Sequence, residues 1–166
     1  MDKDMMKKLI STVIRPRLKY AGVMWSPNKK KHIWKLARLQ MVATKIVPEL
    51  RGMTYEQRLR ALDLPTLEQR RERGDLIQVY KIMKGMDVVD NKELLLRDEV
   101  TSRSIRCHSK NLRMVRCFKD VKKFSFPQRS LAAWNSLSED VVSARSVQSF
   151  KEKLDKCRYG DGATRA

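Results

Sequence analysis

Cysteine is scarce and odd in number: Cys107, Cys117 and Cys157 are the only three in 166 residues. Three thiols do not make a disulfide framework, and without a secretory pattern they read as reduced intracellular cysteines. The opening Met1-Asp2-Lys3-Asp4 is charged and has no apolar stretch behind it. No run approaches the roughly 18 apolar residues that a membrane span needs. The expectation is an intracellular protein, nuclear or cytoplasmic, with no membrane partner. The six glycines are isolated from one another, and Gly160-x-Gly162 lacks a strand–helix context, so no phosphate-cradling loop is present.

Acid–base and metal chemistry are equally thin. The histidines are His32 and His108. Cys107-His108 with Cys117 lacks the paired Cys-x2-Cys spacing of a zinc site, and reads as unligated thiols beside a surface imidazole. Glu139-Asp140 are neighbours whose directions on a helix diverge by about 100°, so they do not share a site. Their negative charge suits a helix N-terminus instead. No Asp-Asp pair occurs. These absences predict no catalytic residues, no metal and no cofactor, hence no enzyme activity in this chain.

What is abundant is positive charge. Lys and Arg number 37 against 19 Asp and Glu, a net charge of +18. Residues 1–52 carry +10, residues 53–100 carry −1 and residues 101–166 carry +9. A charge of this size opposes compaction unless a polyanion offsets it, and phosphate backbones are the commonest such partner. The pattern suggests two basic arms around a neutral packed middle.

The periodicity is mainly helical. From about Asp4 to Trp25, Met5, Leu9, Thr12 and Val13 form one face, with Pro16 expected to kink or split the helix. A second helix from about Lys30 to Val47 sets Ile33, Leu36, Ala43, Ile46 and Leu50 on one stripe, with Leu39 beside it. Thr54-x-x-Gln57 and Thr66-x-x-Gln69 are capping boxes, and the helix after Thr66 should run to Gly85. Asp90 with Glu93 marks another short helix. Residues from about Thr101 to Lys123 read as a basic loop with a short strand pair. Helical signals return with Leu131, Trp134 and Leu137, and again with Val147, Phe150 and Leu154. Trp25, Trp34 and Trp134 read as core or interface anchors. The fold class is therefore mainly α: a bundle-like region over 1–100, a basic loop and C-terminal helices over 101–158, and a frayed tail over 159–166.

The basic positions are the candidate binding residues. Arg15, Arg17 and Lys19 bracket Pro16 and cannot all share one face. Lys29, Lys30 and Lys31 precede the second helix, on which Arg38 and Lys45 lie largely off the apolar stripe. Arg103, Arg106, Arg113, Arg116, Lys119, Lys122 and Lys123 recur about every three residues in the least regular segment, a density that favours phosphate contact. Arg129 follows. Phe118, Phe124 and Phe126 interleave with them, suited to packing on the C-terminal helices and, secondarily, to stacking on bases.

Several strings, in order along nearly the whole chain, resemble the region after the polymerase palm in non-LTR (LINE, jockey-like) retrotransposon reverse transcriptases. They run from Asp2-Lys3-Asp4-Met5-Met6-Lys7-Lys8-Leu9-Ile10 and Val13-Ile14-Arg15-Pro16-Arg17-Leu18-Lys19-Tyr20-Ala21 through Trp25-Ser26-Pro27 and Ala43-Thr44-Lys45-Ile46-Val47-Pro48. The most specific are Tyr55-Glu56-x-Arg58-Leu59-x-x-Leu62 and Leu67-Glu68-x-Arg70-Arg71-x-Arg73-Gly74-Asp75-Leu76-Ile77. Phe126-x-x-Arg129, Trp134-Asn135-Ser136-Leu137, Val141-Val142 and Ser146-Val147-x-x-Phe150-Lys151 complete the match. The resemblance implies a thumb-like helical region that contacts RNA or an RNA/DNA duplex through its backbone, and a separate palm domain that holds the catalytic aspartates and is missing here. Two further readings stay open: a non-functional relic of a mobile element, and a helical protein-interaction module using the neutral middle, Thr54 to Asp98.

Overall fold

A computed structural model describes residues 2–20, 26–27, 29–87, 108–113, 116 and 118–159. The chain is mainly α. Helix α1 (Lys3–Leu9) starts at Asp2, whose carboxylate accepts from the Lys3 amide at 2.7 Å. It runs without a break into a π-helical stretch, Ile10–Ile14, and then α2 (Arg15–Lys19). Pro16 explains the widening. A proline has no N–H and its ring collides with the carbonyl four residues back. The wider turn accommodates it, with the Arg15 amide donating to the Ile10 carbonyl. The helical conformation therefore continues through Pro16 instead of splitting there.

The extra residue in that turn changes which side faces inward. Met6 and Ile10 are buried, and the next core-facing position is Arg15, five residues on. The expected apolar face is the wrong one: Met5, Leu9 and Val13 point to solvent. The next helix shows a similar rotation. In α3 (Lys30–Lys45) the buried side chains are Gln40, Ala43 and Thr44, followed by Val47. Ile33 and Leu36 are half-buried, while Leu39 and Ile46, placed on or beside the apolar stripe, are exposed. Trp34, expected as an anchor, is 53% exposed. Trp25 lies outside the described residues.

Both capping boxes form. Thr54 and Gln57 open α4 (Tyr55–Ala61), and Thr66 and Gln69 open α5 (Leu67–Met83), each with reciprocal side-chain-to-amide bonds. Helix α5 ends as the sequence signals: Gly85 takes φ +67°, with Met86 N–H donating to Lys81 and Gly85 N–H to Ile82. That pairing is a Schellman cap. Helix α4 closes the same way through Asp63 at φ +50°, a strained position for a residue with a Cβ.

Of the expected loop and strand pair over residues 101–123, residues 101–107, 114, 115 and 117 lie outside the described residues; among the described ones no strand forms, and the only ladder-like feature is a single bridge residue, Leu112. Side chains hold this segment instead. Asn135 donates to the Leu112 carbonyl at 2.8 Å and accepts its amide at 3.0 Å, and Trp134 Nε1 donates to the Lys110 carbonyl at 2.9 Å. Residues 120–123 are not loop but a helical turn, α6 (Asp120–Lys123), followed by α7 (Phe126–Asn135), α8 (Glu139–Val142) and α9 (Val147–Tyr159). The Asp90–Glu93 helix start, the boundary near residue 100 and most of the tail lie outside the described residues.

The buried apolar residues form two clusters. One joins Met6, Ile10, Ala43, Val47, Leu50, Leu59, Leu62 and Leu64. The other joins the second half of α5 (Leu76, Val79, Tyr80, Ile82) to Leu112 and to α7, α8 and α9. Its centre is aromatic: Tyr80 stacks on Phe150 at 4.3 Å between centroids, and Trp134 lies 6.0 Å from Phe150. Tyr80 also donates to the Ala144 carbonyl at 2.7 Å, so its hydroxyl is not left unpaired by burial.

Candidate nucleic-acid interface

Between Asp4 and Glu49 the chain has no acidic residue. Helix α3 lies inside that stretch, and its outer face carries, together with the exposed apolar side chains of Trp34 and Val42, the cations Lys31, Lys35, Arg38 and Lys45, all exposed. Their spacings of four, three and seven residues fall on one stripe of a 3.6-residue helix. The stripe spans roughly 21 Å at 1.5 Å per residue. None of the four makes an ion pair among the described residues. Arg38 rests its guanidinium 5.4 Å from the Trp34 ring centroid, the cation–π pair of an exposed surface. Arg17, Lys29 and Lys30, which precede this stripe within the same acid-free stretch, are also exposed.

Arg15 does not belong to this surface. It is fully buried, and its Nη2 donates to the Pro65 carbonyl. Its Nε and Nη1 find no partner among the described residues, and neither does Oε1 of buried Gln40, which reaches the same carbonyl through its Nε2 at 3.5 Å. Burial, with the Arg70 charge adding to it, lowers the Arg15 pKa to about 10. The sequence placed Arg15 among phosphate contacts because its neighbours are basic. The π-helical turn before Pro16 rotates it inward.

Arg129 is also not a surface cation. It forms a two-pronged ion pair with Asp75, at 2.8 and 3.0 Å, with side chains only 16% and 10% exposed. Arg73 does the same with Asp155 at 2.6 and 2.8 Å, and Arg158 pairs with Glu72. Three charged side chains of α5, Glu72, Arg73 and Asp75, are thus each neutralised by a partner from α7 or α9. A cleft of about 220 Å³ beside these pairs is lined by Glu68, Arg71, Glu72, Asp75 and Arg129. The carboxylates of Glu72 and Asp75 are already engaged there.

The second basic arm is partly described. Arg113, Arg116, Lys119, Lys122 and Lys123 are exposed, with Asp120 the sole acid between Glu99 and Glu139. Arg103 and Arg106 lie outside the described residues, as does the Lys19 side chain. Of the three interleaved phenylalanines only Phe126 packs in the core, whereas Phe118 and Phe124 face solvent.

His108 is not the surface imidazole expected from sequence. It is buried against Trp134, edge to face at 5.8 Å. Nδ1 accepts from the Lys110 amide at 3.1 Å, which leaves Nε2 as the donor to the Trp134 carbonyl at 3.1 Å. Both ring nitrogens are therefore engaged by backbone. Beside it, Glu139 accepts from the Ser109 amide at 2.7 Å and hydroxyl at 2.9 Å, and these bonds lower its pKa.

The class defined by these features is a mainly α protein in which α5, α7 and α9 are tied by ion pairs and α3 exposes an acid-free cationic stripe. No protein-family model, curated protein or solved structure matches the chain at a significant level. No helix among the described residues is long and apolar enough to cross a membrane.

Proposed function

We propose that this chain binds the backbone of RNA or of an RNA/DNA duplex through two basic arms, as its resemblance to a reverse-transcriptase thumb region implies, and performs no catalysis itself. The observation that supports this best is the outer face of α3. Four cations without an ion-pair partner among the described residues share one stripe, with no carboxylate in the surrounding stretch of sequence. Phosphates at about 3.4 Å of rise per strand would meet such a stripe over roughly six nucleotide steps. Arg113, Arg116, Lys119, Lys122 and Lys123 supply the second arm, while buried Arg15 drops out of the first and ion-paired Arg129 out of the second.

Backbone contact releases counterions, so affinity should fall steeply between about 50 and 300 mM salt. Replacing Lys31, Lys35, Arg38 and Lys45 together by glutamine should weaken binding to every sequence alike. It should also flatten the salt slope by about one for each phosphate no longer neutralised. Fluorescence anisotropy with a labelled hybrid duplex measures both. Affinity indifferent to salt would sink the proposal.

A second reading has its own support. Met5, Leu9 and Val13 on α1 and the turn after it, and Leu39, Val42 and Ile46 on or just after α3, are exposed apolar side chains. Such faces suit helices shaped to pack against a further domain, such as the palm that the resemblance implies, and would be bare in a relic. The third, an adaptor working through the neutral middle, is less favoured: Leu59, Leu62, Leu64, Leu67, Leu76, Val79 and Ile82 are buried inside the molecule.

A further inference from the structure

Phe118 is 98% exposed and Val121 87%, while Phe126, a few residues on, is buried in the aromatic core. Exposed single apolar residues are ordinary. The segment from Arg116 to Phe124 is less so, because it sets two exposed rings among four exposed cations: Arg116, Lys119, Lys122 and Lys123. Its C-terminal end is fixed. Phe126 anchors it, and the Arg129 side chain that grips Asp75 also carries its guanidinium 5.7 Å from the Phe126 ring. Lys123 Nζ sits 5.7 Å from the Phe124 centroid, which keeps that cation beside an aromatic face.

We infer that this segment is a stacking site for unpaired bases, so that the chain grips single-stranded nucleic acid as well as duplex backbone. The inference rests on the polyanion-binding reading above and names a specific substrate form for its second arm. Cations alone would satisfy phosphates. An aromatic ring exposed to water in the same short run of chain adds a flat apolar face, and a base is the flat face a nucleic acid can offer. In a duplex that face is already covered by neighbouring bases, so Phe118 discriminates in favour of single strands. A membrane is a poorer fit: α6 is a four-residue turn, too short to present the long amphipathic face of an interfacial helix.

The test compares oligothymidylate, a strand of the same length without bases, and a duplex, all by anisotropy with the full chain. Phe118→Ala should weaken oligothymidylate binding by about tenfold, within the range measured for base–aromatic stacking. It should leave the baseless strand, the duplex and the salt slope unchanged. Phe118→Tyr should retain single-strand affinity, whereas Phe118→Leu, apolar but without a π face, should not. Because the side chain touches little of the protein, thermal unfolding of all three variants should match the parent. Oligothymidylate affinity unchanged in Phe118→Ala, with salt-dependent binding intact, overturns the stacking site and leaves the backbone reading standing. Equal losses on the baseless strand, or full rescue by leucine, overturn it as well. No binding to any nucleic acid at low salt removes both proposals.

Discussion

The two halves of this molecule treat several of their arginines differently. In the half built on α5, α7 and α9, Arg73, Arg129 and Arg158 each meet a carboxylate. In the half built on α1 to α4, Arg15 and Arg58 are buried with no carboxylate partner among the described residues. Arg58 is satisfied by neutral oxygens, Thr44 Oγ1 at 3.1 Å and the Met53 carbonyl at 2.7 Å, whereas Arg15 keeps two nitrogens without a partner there. The apolar cores differ in the same sense. The C-terminal half centres on Trp134, Tyr80 and Phe150, all fully buried, while the N-terminal half places Gln40 and Thr44 beside its aliphatic residues and leaves apolar side chains of α1 and α3 exposed. Net charge therefore does not say where a cation works. In the C-terminal half arginines tie helices together, whereas in the N-terminal half Lys7 pairs with Asp63 and the cations of α3 have no ion-pair partner among the described residues.

The largest expected effect comes from breaking a matched pair. Arg129→Met strands the Asp75 carboxylate in a mostly buried place, and loss of one partner of such a pair costs about 3–5 kcal/mol. Urea unfolding measures it. Duplex affinity, measured where the variant remains folded, should keep its salt slope, because Arg129 faces Asp75 and not solvent.

The mirror experiment is Arg15→Met. It removes an incompletely satisfied buried charge along with one hydrogen bond to Pro65, so stability should change by less than about 1 kcal/mol, in either direction. A loss as large as that of Arg129→Met would mean the two halves treat arginine alike, and would dissolve the comparison.

The smallest effect is pH-dependent. The Ser109 amide and hydroxyl, both donating to Glu139, hold its folded pKa below the ordinary 4.5. Between the folded and unfolded values the unfolded chain binds more protons, so stability rises with pH there. The contribution is fully present above about 4.5 and is lost as pH falls through the folded pKa. Glu139→Gln keeps an acceptor for Ser109 and should flatten the acid limb of the melting temperature. An unchanged acid limb would mean that this tie between residue 109 and α8 carries no weight.

Much of the helical layout was legible because its signals are local. Thr54 and Gln57, Thr66 and Gln69, and Gly85 sit within one turn of the helix end they define, and each behaves as its spacing predicts. The site was legible only in part. Lys31, Arg38 and Lys45 are exposed as expected, but Arg15 and Arg129, equally basic in sequence, are not surface cations. Phe118 and Phe126 look alike in the sequence and end in opposite environments.

By itself, then, the sequence determined that the chain is helical, strongly basic and poor in acids at both ends, and where several helices start and stop. Only the tertiary structure decided which face of α1 and α3 turns inward, which arginines find a carboxylate and which aromatic rings stay in water. Caps and composition depend on neighbours within a few residues. Burial and ion pairing depend on partners as distant along the chain as Asp75 and Arg129, or Arg73 and Asp155, and on a single widened turn before Pro16 that moves a cation from surface to core.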